Sequence, residues 1–184
     1  MDSSGAGTIL LCTRPALFAT PGGRATLLPQ VRPVLPCPAM QEVVVTKTFA
    51  APRRAVWSVY TDHLSWNDWA RIGKVRLERE GRPSRNGVGC VRVISSGGIS
   101  VHEEVLSFEE PEKMTYRVLR GGLPIKNHLG EVRFDEDASG RTTVTWRCRF
   151  DSRIPGLGFL WKAIITKVFR DTLGGLASGP FGKR

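Results

Sequence analysis

The sequence predicts an α+β domain, a curved antiparallel sheet of about seven strands wrapped on one long C-terminal helix, with two short helices after the first strand. Three observations predict it. An apolar stripe at steps of three and four, Leu157, Leu160, Trp161, Ile164, Ile165, Val168, Thr172 and Leu176, marks a helix of about five turns with one large face to bury. Between Met40 and Phe150 most of the chain breaks into short runs of strand-forming residues. The connections between those runs are too short for parallel crossovers, so consecutive strands must pair antiparallel.

Taken in order from Met40, the run 42–49 is rich in Val and Thr and reads as the first strand. Ala51-Pro52 then opens a helix whose inward side is Val56, Trp57 and Tyr60, and Thr61-Asp62 ends it. A second short helix over 63–69 carries Trp66 and Trp69. Trp57 reads as glue between helix and sheet, whereas Trp66 and Trp69 suit both a cavity wall and a lid. Six further strands follow over about 74–80, 89–94, 99–108, 114–119, 127–135 and 142–150. They are separated by turn residues such as Ser95-Ser96-Gly97-Gly98 and Gly121-Gly122-Leu123-Pro124. In the last strand Val144, Trp146, Cys148 and Phe150 share one face and Thr143, Thr145, Arg147 and Arg149 the other. The apolar face must look at the helix. The same parity turns Val132, Phe134 and His128 inward one strand earlier, and Met114, Tyr116 and Val118 before that. For the C-terminal helix, Asp151 and Ser152 offer capping oxygens ahead of Pro155 in a first turn, and Gly179-Pro180 supplies the stop.

One strand resists a clean split. If Leu106 and Phe108 face inward, simple alternation brings Glu104 and His102 in with them. A buried carboxylate requires a partner, and Arg92 across the preceding hairpin is the obvious one. The register of that hairpin stays open, because its turn has room for a bulge.

Residues 1–39 differ from the rest. Arg14, Arg24 and Arg32 face a single acid, Asp2, and six prolines from Pro15 to Pro38 break any amphipathic helix. The expectation is a disordered leader. Scarce acids would suit a transit peptide, but the prolines oppose it. The short run Ile9-Leu10-Leu11-Cys12 with cations after it does not make a secretory signal. Met40, directly before the first strand, is the favoured start, which leaves a domain over 40–179 and a tail over 180–184.

The net charge of +10 and pI near 10.1 permit contact with an anionic surface, but the basic residues are scattered and no nucleic-acid motif accompanies them, so no nucleic acid is expected. Cys12, Cys37, Cys90 and Cys148 have neither metal nor disulfide-framework spacing, which makes a reducing, cytoplasmic location the default and predicts no metal and no cofactor. No apolar run approaches the roughly 20 residues that a membrane-spanning helix needs.

The order of elements and several motifs resemble the START-like or SRPBCC superfamily, within it the polyketide cyclase/dehydrase and lipid transport branch. The residues that carry the resemblance are Phe49, Ala51-Pro52, Trp57, Asp62, Trp66 and Trp69, then Gly87, Gly89 and Arg92, then Glu104-Val105 and Pro111, and finally Ile154-Pro155-Gly156, spread over about 41–178. The resemblance implies a helix-grip fold with a deep apolar cavity between the long helix and the sheet. It also implies a small hydrophobic ligand, such as a lipid, sterol, polyketide or quinone, with a minority of members catalysing cyclisation or aromatisation and no shared catalytic motif.

The expected function is therefore a carrier or sensor, with a polyketide aromatase/cyclase as the alternative. The candidate pocket residues are Trp69, Arg92, His102, Glu104, Tyr116, Val118, His128, Phe134, Val144, Trp146, Leu160, Trp161, Ile164 and Val168. Among them Arg92 suits a ligand carboxylate or phenolate, and Glu104 or His128 suits a base. Arg92 with Glu104 also reads as a purely structural pair, and each histidine as a satisfied or solvent-facing one. The outward Lys162, Lys167 and Arg170 suit transient contact with an anionic membrane surface. Oligomeric state is not legible in the residues.

Overall fold

A computed structural model describes residues 40–182, and the expectations about the leader, with Cys12 and Cys37, lie outside the described residues. β1 (Gln41–Phe49) is followed by α1 (Arg53–Thr61), a 3-10 turn (His63–Ser65) and the four-residue α2 (Trp66–Trp69). Then come β2 (Lys74–Arg79), β3 (Val91–Ser96), β4 (Ile99–Glu109), β5 (Lys113–Gly121), β6 (Ile125–Glu136), β7 (Thr142–Ser152) and α3 (Gly158–Ser178). The seven strands form one antiparallel sheet in the order β1-β7-β6-β5-β4-β3-β2. From β2 onward it is a meander, as the short turns require. The chain between β1 and β2 crosses from one edge to the other through the two short helices. This is the helix-grip arrangement.

Alternation in β7 holds throughout. Val144, Trp146, Cys148 and Phe150 are buried on the concave face, joined by Val43 and Val45 from β1 and by Val132 and Phe134 from β6. Trp57 meets Phe108 and Phe134 edge to face at ring separations of 4.9 and 5.1 Å, the sheet-gluing role expected of it. Gly130 on β6 lets the Tyr116 ring fold flat across the sheet, since a Cβ there would stand 2.3 Å from that ring.

The C-terminal helix departs from expectation at its start and along its stripe. Asp151 and Ser152 belong to β7, Pro155 precedes the helix, and α3 begins at Gly158 with no side-chain cap. The Ser152 hydroxyl is instead the acceptor for the Trp161 indole N–H at 3.1 Å, tying the strand end to the first turn. The buried residues of α3 are Phe169, Thr172, Leu173, Gly175 and Leu176, all in its C-terminal half. Phe169 stacks on Trp146 at 3.9 Å and 12°. Leu160, Ile164 and Val168 in the N-terminal half are 37–40% exposed. The C-terminal half of the helix is fully seated, whereas in the N-terminal half only Trp161 and Ile165 pack partly on the core and the turn at Ile164–Val168 is raised over open space.

No helix among the described residues is long and apolar enough to cross a membrane. Seating depends on close approach at Gly175, where a Cβ would lie 2.1 Å from the Trp69 carbonyl oxygen. Because backbone has to yield, Gly175→Ala should destabilise the protein by about 1–3 kcal/mol in thermal or urea unfolding, despite alanine's better helix propensity. Gly174→Ala, whose Cβ meets open space, should be neutral or stabilising in the same assay.

Candidate functional site

The gap under the raised half of α3 is a cavity of about 430 Å³, within the usual range for small-molecule sites. Of the sequence-predicted residues, Tyr116, Val118, His128, Trp146, Ile164 and Val168 line it. Phe134 and Val144 lie in the packed core and do not reach it. Leu160 points to solvent and Trp161 packs beside the strand end. Trp69, expected as wall or lid, packs away from the cavity with its indole N–H on Ser65 Oγ at 3.1 Å. Its neighbour Trp66 is the wall residue.

The largest correction concerns β4. Val105 pairs with Tyr116 and Phe108 with Met114, while β5 supplies only Thr115 between those partners, opposite Ser107. Leu106 is the extra residue of a bulge and turns outward. The bulge reverses parity, so Val105 and Phe108 are both inward and the alternation behind them brings in Glu103 and Val101. Glu104 lies outside. Its carboxylate accepts hydrogen bonds from Arg117 at 2.7 and 2.9 Å and from Arg79 at 2.6 Å, which hold its pKa below the usual range. His102 is also outside, with Nδ1 2.6 Å from Glu78 Oε2. The expected partnership of Arg92 with Glu104 is therefore one residue off. Arg92 stands opposite Glu103 and donates from Nε to Glu103 Oε2 at 2.8 Å.

Arg92 is entirely buried and sits behind the wall, absent from the cavity lining. Its guanidinium lies between the Trp66 and Tyr116 rings, 4.6 and 4.7 Å from their centroids, while Nη1 and Nη2 find no hydrogen-bond acceptor. Burial, the largest influence, pulls its pKa down, but the Glu103 charge, Tyr60, Tyr116 and the hydrogen bond to Glu103 together outweigh it and the net direction is up. The group that faces the cavity is thus a carboxylate, Glu103, with the guanidinium behind it. A ligand carboxylate at this end would meet like charge.

Around that pair lies a buried polar cluster. The Tyr116 hydroxyl accepts from the Trp146 indole N–H at 2.8 Å, so its own proton is free for another partner. Burial pushes the Tyr116 phenol well above its ordinary pKa and keeps it protonated. His128 lines the cavity with its ring 5.5 Å from that of Tyr116 and Nδ1 unpartnered, and burial lowers its pKa against the opposing charge of Glu103, with a smaller push in the same direction from Arg92. His63, behind Trp66, is driven well below the ordinary value, again by burial and then by Arg92. Among the described residues no group of three His, Cys, Asp or Glu is placed to hold a metal ion.

Several wall residues escaped sequence reasoning. Phe169 was recoverable by continuing the four-residue step from Ile165, and Ile94 by its place beside Arg92 on β3. Gly121, Gly122 and Leu123 read only as a turn but form part of the cavity's edge. Glu103 had no such signal, because nothing in the residues announces the bulge at Leu106.

Two outcomes follow. Glu103→Gln should cost about 3–5 kcal/mol in urea unfolding, since it leaves a buried guanidinium uncompensated, whereas Glu104→Gln, facing exposed arginines, should cost under about 1 kcal/mol. The depressed pKa values of His63 and His128 mean that the unfolded chain binds more protons below about pH 6.5; their contribution to stability is present above that value and lost as pH falls. The unfolding midpoint should therefore drop between about pH 7 and about pH 5.5, and drop less in the His63→Leu/His128→Leu variant.

A family model described as polyketide cyclase / dehydrase and lipid transport matches residues 40–178. Among curated proteins no sequence matches the chain. Solved structures that it resembles include the Zhui aromatase/cyclase from Streptomyces sp. R1128, at 20% identity and a TM-score of 0.63, covering 75% of this chain and 92% of that one. A START superfamily protein from Mycobacterium smegmatis is similar at 13% identity and a TM-score of 0.64, covering 76% and 96%. A truncated norcoclaurine synthase from Thalictrum flavum follows at 11% identity and a TM-score of 0.65, covering 79% and 96%. At these identities the likeness is one of fold.

Proposed function

The chain belongs to the polyketide cyclase / dehydrase and lipid transport family, and from that premise we propose that it binds a small hydrophobic molecule, as a carrier or sensor, in the cavity between α3 and the sheet. The observation that carries this reading is the raised half of α3. Ile164, Ile165 and Val168 face Ile94, Val101, Val118 and Trp146 across an open space of about 430 Å³ instead of closing on them. An apolar gap of that size left unfilled forfeits packing contacts, and a bound apolar molecule would restore them. The ligand class is that of lipids, polyketides, quinones and sterol-like compounds. Glu103 and His128 add a polar end that suits a hydroxyl or another neutral hydrogen-bonding group.

A second reading, a cyclase-type enzyme, is favoured by one feature of the same end. His128 is a neutral base with a free ring nitrogen, and Tyr116 is a phenol whose proton is unengaged, so a proton acceptor and a proton donor flank one space. Removal of a proton next to a carbonyl, with Tyr116 donating to the developing enolate oxygen, would need only these two groups.

The test is a cavity-filling variant. Val118→Trp should abolish the thermal stabilisation that lipids, sterols, quinones or polyketides give the wild type, while the unliganded variant unfolds within a few degrees of it. Each tenfold excess of ligand over its Kd contributes about 1.4 kcal/mol to the wild type alone. Equal stabilisation of both proteins would place binding elsewhere and overturn the proposal. A ligand recovered chemically altered would favour the enzyme over the carrier.

A further inference from the structure

The buried end of the cavity presents a carboxylate, Glu103, and its outer edge presents the opposite charge. Arg71, in the loop between α2 and β2, and Asp171 on α3 line both the cavity and an adjoining surface cleft. Arg170, Gly174, Gly175 and Ser178 complete that cleft. Asp171 is already engaged by Lys167 one turn earlier on the helix. Neither Arg71 nor Arg170 forms a salt bridge among the described residues, so the edge and the adjoining cleft carry two guanidinium groups whose N–H forks are not taken by a carboxylate.

Two further features single this place out. Arg71 adopts φ of 56°, in the left-handed region, so a long cationic side chain occupies a backbone position where glycine is the easy choice. Gly174 is a glycine inside a helix that packing does not demand, since a Cβ there would meet nothing within 4 Å. Its missing side chain keeps the cleft open beside Arg170, one helical turn away. Gly175, by contrast, is required by the Trp69 carbonyl.

We propose that Arg71 and Arg170 form an anion site at the mouth of the cavity, and that the ligand is an anionic amphiphile, an apolar body with a carboxylate, phosphate or sulfonate head, bound with its head at this edge and its apolar part inside. This deepens the binding reading above and rests on it. The polarity of the cavity sets the direction: at the inner end Arg92 is sealed behind the wall and neutralised, so an anion there would face Glu103. Guanidinium groups are suited to such heads because their fixed N–H fork matches two oxygens at once.

The experiment uses two fluorescent probes that differ only in the anion, anilinonaphthalene sulfonate and phenylnaphthylamine, titrated into the full chain, its Val118→Trp variant and the Arg71→Gln/Arg170→Gln variant. In the wild type the sulfonate should bind about tenfold more tightly than the neutral probe, and high salt should narrow the difference. The double variant should lose most of that advantage, weakening the sulfonate far more than the neutral probe, and an unchanged unfolding midpoint reports that its fold is intact. Val118→Trp should displace both. If the neutral probe binds the cavity and the sulfonate gains nothing, or the double variant weakens both probes alike, the anion site is overturned and the cavity reading stands. If neither probe binds the wild type, or Val118→Trp displaces neither, both fail.

Discussion

A guanidinium removed wholly from water is the constraint on which this structure turns. Arg92 lies within β3, and leaving its buried charge unpaired would cost about 3–5 kcal/mol, a large share of a domain's margin of stability. Its charge is met by Glu103, directly opposite on β4, and its two flat faces by Trp66 and Tyr116. Each partner then fixes something else. Glu103 sets which face of β4 looks inward. Trp66 ties α2 to α1 with its indole N–H on the Tyr60 carbonyl at 2.6 Å, and its ring meets Trp146 of the sheet edge to face at 6.2 Å. Tyr116 lies over Gly130 and receives the Trp146 N–H, and Trp146 in turn stacks on Phe169 of α3. A continuous line of contacts thus runs from one charge to the seating of the C-terminal helix.

The seating is one-sided, and the cavity is its result. From Phe169 onward α3 is anchored by its own apolar residues and by the glycine contact with Trp69. Before Phe169, Trp161 ties the first turn to the end of β7 while Ile164, Ile165 and Val168 border a gap. The buried end of that gap is polar because Arg92 requires Glu103, and its middle is apolar. Its edge carries Arg71 beside Asp171, which Lys167 engages, and Arg170 lies in the adjoining cleft. A ligand bound as proposed would be selected by this grading for both its size and its orientation.

Most of the architecture was legible in the residues. Alternation in β7 gave the concave face, turn chemistry gave the meander, and helical spacing gave α3. The errors share one physical cause: periodicity is a sound guide only while nothing interrupts it. A single inserted residue at Leu106 moved the inward carboxylate from Glu104 to Glu103 and sent His102 to the outer face. Spacing could not separate Trp66, which lines the cavity, from Trp69, which does not, because α2 is only four residues long, too short for periodicity to assign a face. On α3 the stripe was real, but nothing in it distinguished the half that is packed from the half that lines space. That distinction depends on the depth at which Gly175 meets Trp69, a tertiary contact.

The central claim is that the space beneath the raised half of α3 holds a small apolar molecule. Native mass spectrometry of the full chain, purified from its own host without denaturation and then unfolded to release what it carries, tests this most directly. The expected result is a stoichiometric non-covalent adduct that, once freed, is an amphiphile with an anionic head. A protein that flies at its bare mass from gently prepared material, under conditions that preserve complexes of known lipid carriers, would contradict it.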